Sequence, residues 1–424
     1  MDWLFGQSVF FAYFCRRLYK KGMKIRIILI TIGLASSLLC TAQRKEIAQA
    51  QTYIKSGKDF DKAEKLMTGL LAKDSVNRQN KKIYFTWFET VRMQYEAANE
   101  KLYLRQKYDT VQFFNLVRKM FQIAETLDSL DARPDKKGRV RPEYRKGCAE
   151  YLHHLRRNLY YGGTFQVRKG RYGEAFGFLE TFLDAAREPL FTAYDYLTTD
   201  TLMPQAAYWA TFSAYRLQHP DSVLRYHELA LKDTARREFT LQYVCEALRQ
   251  RQCDSAYVAR LREGFDSFPT HHYFFPHLAD YYTQRGDYDK VLALCEEGLS
   301  TAPDNQLMLL AKSVAQLNKG DDEGCINTSE RLIALNDTLA EAYFNIATVK
   351  LNKALELERE NEPRKNRKQL TALYTEARPY MEAFRKLSPA DKPRWAPALY
   401  RIYLHLNMGK QFEEIDRVMR KIKS

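Results

Sequence analysis

Three histidines stand within the stretch "HHYFFPH", at His271, His272 and His277. Imidazole is the commonest protein ligand for transition metals, so metal chemistry is the first reading to weigh. Adjacent residues on a helix are expected to point apart, and no carboxylate joins this trio at ligand spacing. His153 and His154 meet the same objection. Paired acids such as Asp321 and Asp322 stand at an expected helix start, where a carboxylate is favoured by the positive end of the helix dipole. "YYGG" at 160–163 is a lone glycine pair, read as close helix packing rather than anion binding. The sequence contains no phosphate loop, no dinucleotide glycine fingerprint, no nucleophile elbow and no zinc-protease helix. No catalytic residue, metal ligand or cofactor is assigned.

The elements that would carry any site are helical. Apolar residues make up 45% of the 424-residue chain and charged residues 28%, which excludes general disorder. With 18 Gly and 13 Pro there are too few turn formers for a strand-rich fold, and the 28 Tyr and 24 Phe suit helices that interlock through rings. Cys148, Cys245, Cys253, Cys295 and Cys325 follow residue 42. Their odd number and the lack of a CxxC pair indicate neither a zinc site nor a disulfide framework. Cys295 and Cys325 fall on apolar helix faces and are expected to be buried. A Cys245–Cys253 pair is not expected.

Turns repeat along the chain. "RGDYDKV" at 285–291 is followed 34 residues later by "KGDDEGC" at 319–325, with Gly286 and Gly320 in equivalent places. "KGRYGEA" at 169–175 has the same form, and "GKDFDKA" at 57–63 is a variant. Apolar residues at three- and four-residue spacing flank each turn, and the following segment stops at Pro303 or Pro389. Phe275, Leu278, Ala279 and Tyr282 form a large–large–small–aromatic set, with Val291 and Gly298 at small sites of the next segment. Ala63, Ala175, Ala230, Ala256 and Ala377 are assigned to comparable sites.

This 34-residue helix–turn–helix pattern resembles the tetratricopeptide repeat (TPR). The resemblance implies an all-α, right-handed α-solenoid of about nine degenerate TPR-like repeats. Units read as 44–77, 79–125, 145–189, 204–236, 237–271, 272–305, 306–339, 340–390 and 393–424. They group as 43–189 and 190–424, with an insertion near 355–370. The basic stretches 133–146 and 358–368 read as solvated loops or helix ends. In this family first helices line an inner groove, which implies a partner-binding strip of Arg157, Tyr160, Arg168, Tyr208, Phe212, Tyr215, Arg216 and Arg249. Arginine pairs with carboxylates, and tyrosine adds rigid contact area. The other reading is that the rings fill helix interfaces while the arginines face solvent. Thr164, Phe212, Cys245 and Asp280 stand where the family's chaperone-tail clamp wants asparagine, so that use is not expected.

The amino terminus reads as targeting sequence. Residues 23–42, "MKIRIILITIGLASSLLCTA", have a basic start, an apolar run over 27–40 and small residues before Gln43, the parts of a secretory signal. The run is shorter than the ~20 residues of a membrane span. Lipidation at Cys40 or an uncleaved anchor are the alternatives. Residues 1–22 read as a start-site artefact, with Met23 the true start. Removing 1–42 takes away six Lys/Arg and one Asp, lowering the formal charge from +15 to +10. The sequence thus points to an exported, periplasmic or envelope-associated scaffold that binds a protein or peptide, an acidic one by its charge, and no nucleic acid. An enzyme or enzyme subunit acting on envelope glycans or peptides, or a lipid-anchored assembly factor, is the competing reading.

Overall fold

The computed structural model describes residues 43–360 and 363–423. The start-site artefact, the signal segment and Cys40 lie outside them. The described residues contain α-helices and short 3₁₀ turns and no strand. They form two compact units that meet in sequence at Ala235/Arg236.

The first unit opens with α1 (43–56) and α2 (Phe60–Lys73), then α3 (Lys81–Tyr103) and α4 (Thr110–Asp131). It continues with α5 (Arg145–Arg168), α6 (Tyr172–Asp184), α7 (Met203–Arg216), α8 (Pro220–Arg225) and α9 (His227–Ala230). The second unit comprises α10 (Arg237–Gln250), α11 (Asp254–Ser267), α12 (Phe274–Thr283), α13 (Tyr288–Thr301) and α14 (Gln306–Lys319). It ends with α15 (Asp322–Leu335), α16 (Ala340–Arg359), α17 (Pro363–Leu387), α18 (Lys392–His405) and α19 (Gly409–Lys423). Within each unit successive helices pack on one another, and the short connections make neighbours antiparallel. These are the nine expected hairpins of a TPR-like α-solenoid, the fourth with its second helix broken at Tyr226.

Local chemistry sets the helix ends. Asp109 accepts from the backbone N–H groups of Val111 and Gln112 at 2.8 and 3.0 Å. Asn305 caps α14 in the same way, and Asp321 accepts from Gly324 N–H at the start of α15. Each cap satisfies amides that have no partner inside the helix. The turns between helices are left-handed at Gln218, Gln252, Gly286 and Gly320, with φ of 58°, 56°, 72° and 75°. All four are 34 residues apart, so the period extends two units further back than the glycines reveal. Each closes with the paired backbone bonds of a Schellman motif, as in Gly320 N–H to Leu317 O and Asp321 N–H to Gln316 O.

The same register fixes the packing. Thr211, Cys245, Ala279, Ser313 and Ala347 are all buried at 34-residue intervals, as are Ala230, Gly264, Gly298 and Leu332. Helices approach closely where such side chains are small. A Cβ on Gly298 would meet the Met308 sulfur at 2.6 Å, and one on Gly163 would meet Leu179 Cγ at 2.6 Å. The glycine pair of "YYGG" is therefore a packing device. Ala63, Ala175, Ala230 and Ala377 are buried as expected, but Ala256 is exposed. The turn at Gln252 keeps the 34-residue period, and the buried site that Val291 and Cys325 hold in later repeats falls on Tyr257, one residue after Ala256.

The two compact units meet at 235/236, within the stretch the sequence groups as 190–424. The spacer after Pro189 forms a 3₁₀ segment, Pro189–Tyr194, and a single helical turn, Tyr196–Thr199. Phe191 is buried against Phe121, ring centroids 5.4 Å apart, which ties the spacer to the helices before it. The insertion of the eighth repeat lengthens α16 and α17 on either side of 361–362 instead of adding a long loop.

Candidate functional site

The expected binding strip divides between the units. Arg157, Tyr160, Arg168, Tyr208, Phe212, Tyr215 and Arg216 lie on α5 and α7 of the first unit, and Arg249 on α10 of the second. On α5, Arg157, Tyr161, Thr164 and Arg168 follow one face by their spacing. On α7, Tyr208, Phe212 and Tyr215 do the same.

The rings of this strip are used in packing. Tyr208 is buried and stacks on Phe212, centroids 6.4 Å apart, while Phe212 meets Tyr172 edge-on at 5.8 Å. Tyr160 is half-buried beside Phe182, and its hydroxyl donates to Gln205 Oε1 at 3.2 Å. The arginines are exposed. Arg216 lies over the Tyr172 ring at 4.8 Å, Arg249 pairs with Glu246 at 2.6 Å, and neither Arg157 nor Arg168 has an acid within ion-pair reach among the described residues. This face can therefore offer fixed aromatic edges beside cations open to a carboxylate.

The strongest side-chain cluster of the first unit is one the sequence reading passed over. Arg156, next to exposed Arg157, is almost fully buried. Its guanidinium sits 3.7 Å from the Phe182 ring centroid and 4.0 Å from that of Tyr196. It pairs with Asp200 and donates to Phe182 O at 2.9 Å. His153, one turn away, stacks on Tyr194 at 4.1 Å and shares a 2.9 Å hydrogen bond with the Tyr196 hydroxyl. Burial and the neighbouring His154 and Arg156 charges hold its imidazole below the usual range. These contacts clamp the spacer onto α5. The available sequence signal was the helical face: Leu152, Arg156 and Leu159 are spaced for one buried side.

The histidines do not point apart as expected. His271 and His272 lie in the turn before α12 with ring centroids 4.5 Å apart, and His153 and His154 on α5 are 5.4 Å apart. Among the described residues no group of three His, Cys, Asp or Glu is arranged to hold a metal ion. In the second unit a cavity of about 690 Å³ lies between α16 and α18, floored by Phe344, Leu351 and Leu404 and edged by Arg394, Arg401 and His405. Arg394 is held by Glu341 at 2.6 and 2.9 Å and lies 3.8 Å from the Phe344 centroid. Glu358 belongs to the same lining and pairs with His405 at 3.0 Å.

The described residues form an all-helical array of repeated hairpins whose fold is TPR-like. No family model and no curated protein matches the sequence. Among solved structures, the chain is similar to the C-terminal part of a TPR repeat-containing protein from Cytophaga hutchinsonii, at 12% identity and TM-score 0.42, over 61% of this chain and 92% of that one. A TPR repeats protein from Bacteroides fragilis aligns at 14% identity and TM-score 0.29, over 62% and 98%. The TPR2AB domain of yeast Sti1, in its pHSP90 complex, aligns at 15% and 0.24, over 74% and 98%.

Proposed function

We propose that this protein is an exported, non-enzymatic scaffold that binds a protein or peptide partner bearing carboxylates. The observation that carries the reading is the exposure of Arg157 and Arg168 on α5 and of Arg216 on α7, the last lying over the packed rings of Tyr172 and Phe212 at 4.8 and 5.9 Å. Rings already fixed by packing lose little entropy on binding, and an exposed arginine gains a bidentate partner. Tyr215 and Arg249 extend the same proposal to their own helices, whereas Tyr208 is buried and supports the packing beneath the face. Export rests on residues 23–42, whose basic, apolar and small-residue segments follow the order of a secretory signal.

Crosslinked capture from the native cell, with the wild-type chain and an Arg157→Glu/Arg168→Glu/Arg216→Glu variant, tests the reading. The wild type should retain a discrete partner that the folded variant loses. Equal capture by both proteins would remove this face from the function. Mass determination of the mature amino terminus tests export, Gln43 being the expected first residue.

A further inference from the structure

The turn after α3 exposes an apolar tip. Tyr103 is 84% exposed, Leu104 53% and Leu102 39%. The helix stops there because Arg105 adopts φ 55°, with Arg105 N–H bonded to Leu102 O and Gln106 N–H to Lys101 O. This is the Schellman geometry that usually takes glycine. Exposed cations flank the tip. Lys101, Arg105 and Lys107 are its neighbours in sequence, and Lys169 and Arg171 face Lys101 and Lys107 across a concavity of about 670 Å³. None of the five has an ion-pair partner among the described residues. The acid of this concavity, Asp109, is occupied in capping α4.

We propose that this tip is a docking surface for an anionic lipid bilayer. Leu102, Tyr103 and Leu104 enter the interfacial zone, and the five cations meet headgroup phosphates. The apolar side chains of the tip point outward, away from that concavity's cations, and a fluid interface closes around such a protrusion. Tyrosine suits that depth because its ring is apolar and its hydroxyl stays hydrated. Juxtaposed Lys and Arg add attraction to the negative surface potential. The surface shares no residue with the α5–α7 arginine strip, although Lys169 directly follows Arg168, and it does not depend on that reading.

The test is cosedimentation of the full chain with vesicles of phosphatidylcholine alone and of equal parts phosphatidylcholine and phosphatidylglycerol. One variant is Leu102→Ser/Tyr103→Ser/Leu104→Ser and a second is Lys101→Gln/Arg105→Gln/Lys107→Gln. A third, Lys386→Gln/Lys392→Gln/Lys410→Gln, makes the same charge change at exposed sites of the second unit. The apolar stretch 27–40 is common to all, so differences among them report the tip. The wild type and the third variant should favour the anionic vesicles, and salt should weaken both. The second variant should lose roughly fivefold in partitioning for each cation removed, and the first at least as much as one such step. Tip variants that partition like the wild type would overturn the proposal. So would equal loss in the third variant, or a chain that ignores vesicles and binds polyglutamate through the tip.

Discussion

Gln252 holds the left-handed backbone conformation of Gly286, φ 56° against 72°, at the same turn one repeat earlier. A side chain in that region meets its own carbonyl, at a cost of about 1–2 kcal/mol, and only glycine escapes it. Gln252→Gly is therefore expected to raise stability by about 0.5–1 kcal/mol after the added freedom of the unfolded chain is counted. Gly286→Gln should lower it by a similar amount. Chemical denaturation of the two variants checks both signs.

Glycines inside helices separate packing from propensity. A Cβ on Gly264 would overlap the Phe274 ring, whereas one on Gly69 meets nothing within 4 Å. Gly264→Ala should destabilise by about 1–3 kcal/mol through forced repacking. Gly69→Ala should stabilise by about 0.5–1 kcal/mol through helix propensity. Thermal melts of the pair would give opposite shifts, and like shifts would contradict the packing described.

Arg156→Leu removes the charge that balances Asp200 within the aromatic clamp. Leaving one member of a buried pair uncompensated costs about 3–5 kcal/mol. Asp200→Asn, which keeps a hydrogen-bonding side chain, should cost less than Arg156→Leu. Amide hydrogen exchange should rise first in 189–200, the segment the clamp holds.

Glu125 predicts a pH dependence. Burial, with the nearby charges of Glu188 and Asp184, raises its carboxyl from the ordinary value of 4.5 to about 8. The folded state therefore binds more protons than the unfolded state between those values, and stability falls as pH rises through that window. Glu125→Gln should flatten this part of the profile and gain most in stability near its upper end. Denaturation midpoints of both proteins at several pH values measure it.

The thiols should differ in access. Burial pushes Cys148, Cys245 and Cys295 to about 12 and Cys325 to about 11, while Cys253 is half-exposed. Brief alkylation of the native protein followed by peptide mapping should label Cys253 ahead of the other four. Rapid labelling of Cys295 would contradict the burial of α13.

Much of the fold was legible in local residues. Gly286, Gly320 and Pro303 mark turns and stops by backbone restriction, and alternating bulk around Ala279 and Gly298 marks helix faces, because these effects act within a few residues. Gln218 and Gln252 hid two further turns, since their strain is imposed by packing on both sides and leaves no residue signature. Ala256 lies one position off the period, which Tyr257, not Ala256, keeps.

The sequence by itself determined a helical repeat array with small residues at its helix contacts, since period and side-chain volume are written along the chain. Tertiary structure alone decided what each polar side chain faces. Arg156 and Arg157 are neighbours of one type, yet the helix turns the first into an aromatic clamp and the second into water. Burial depends on which distant helix lies opposite, and that choice follows from the packing of the whole unit.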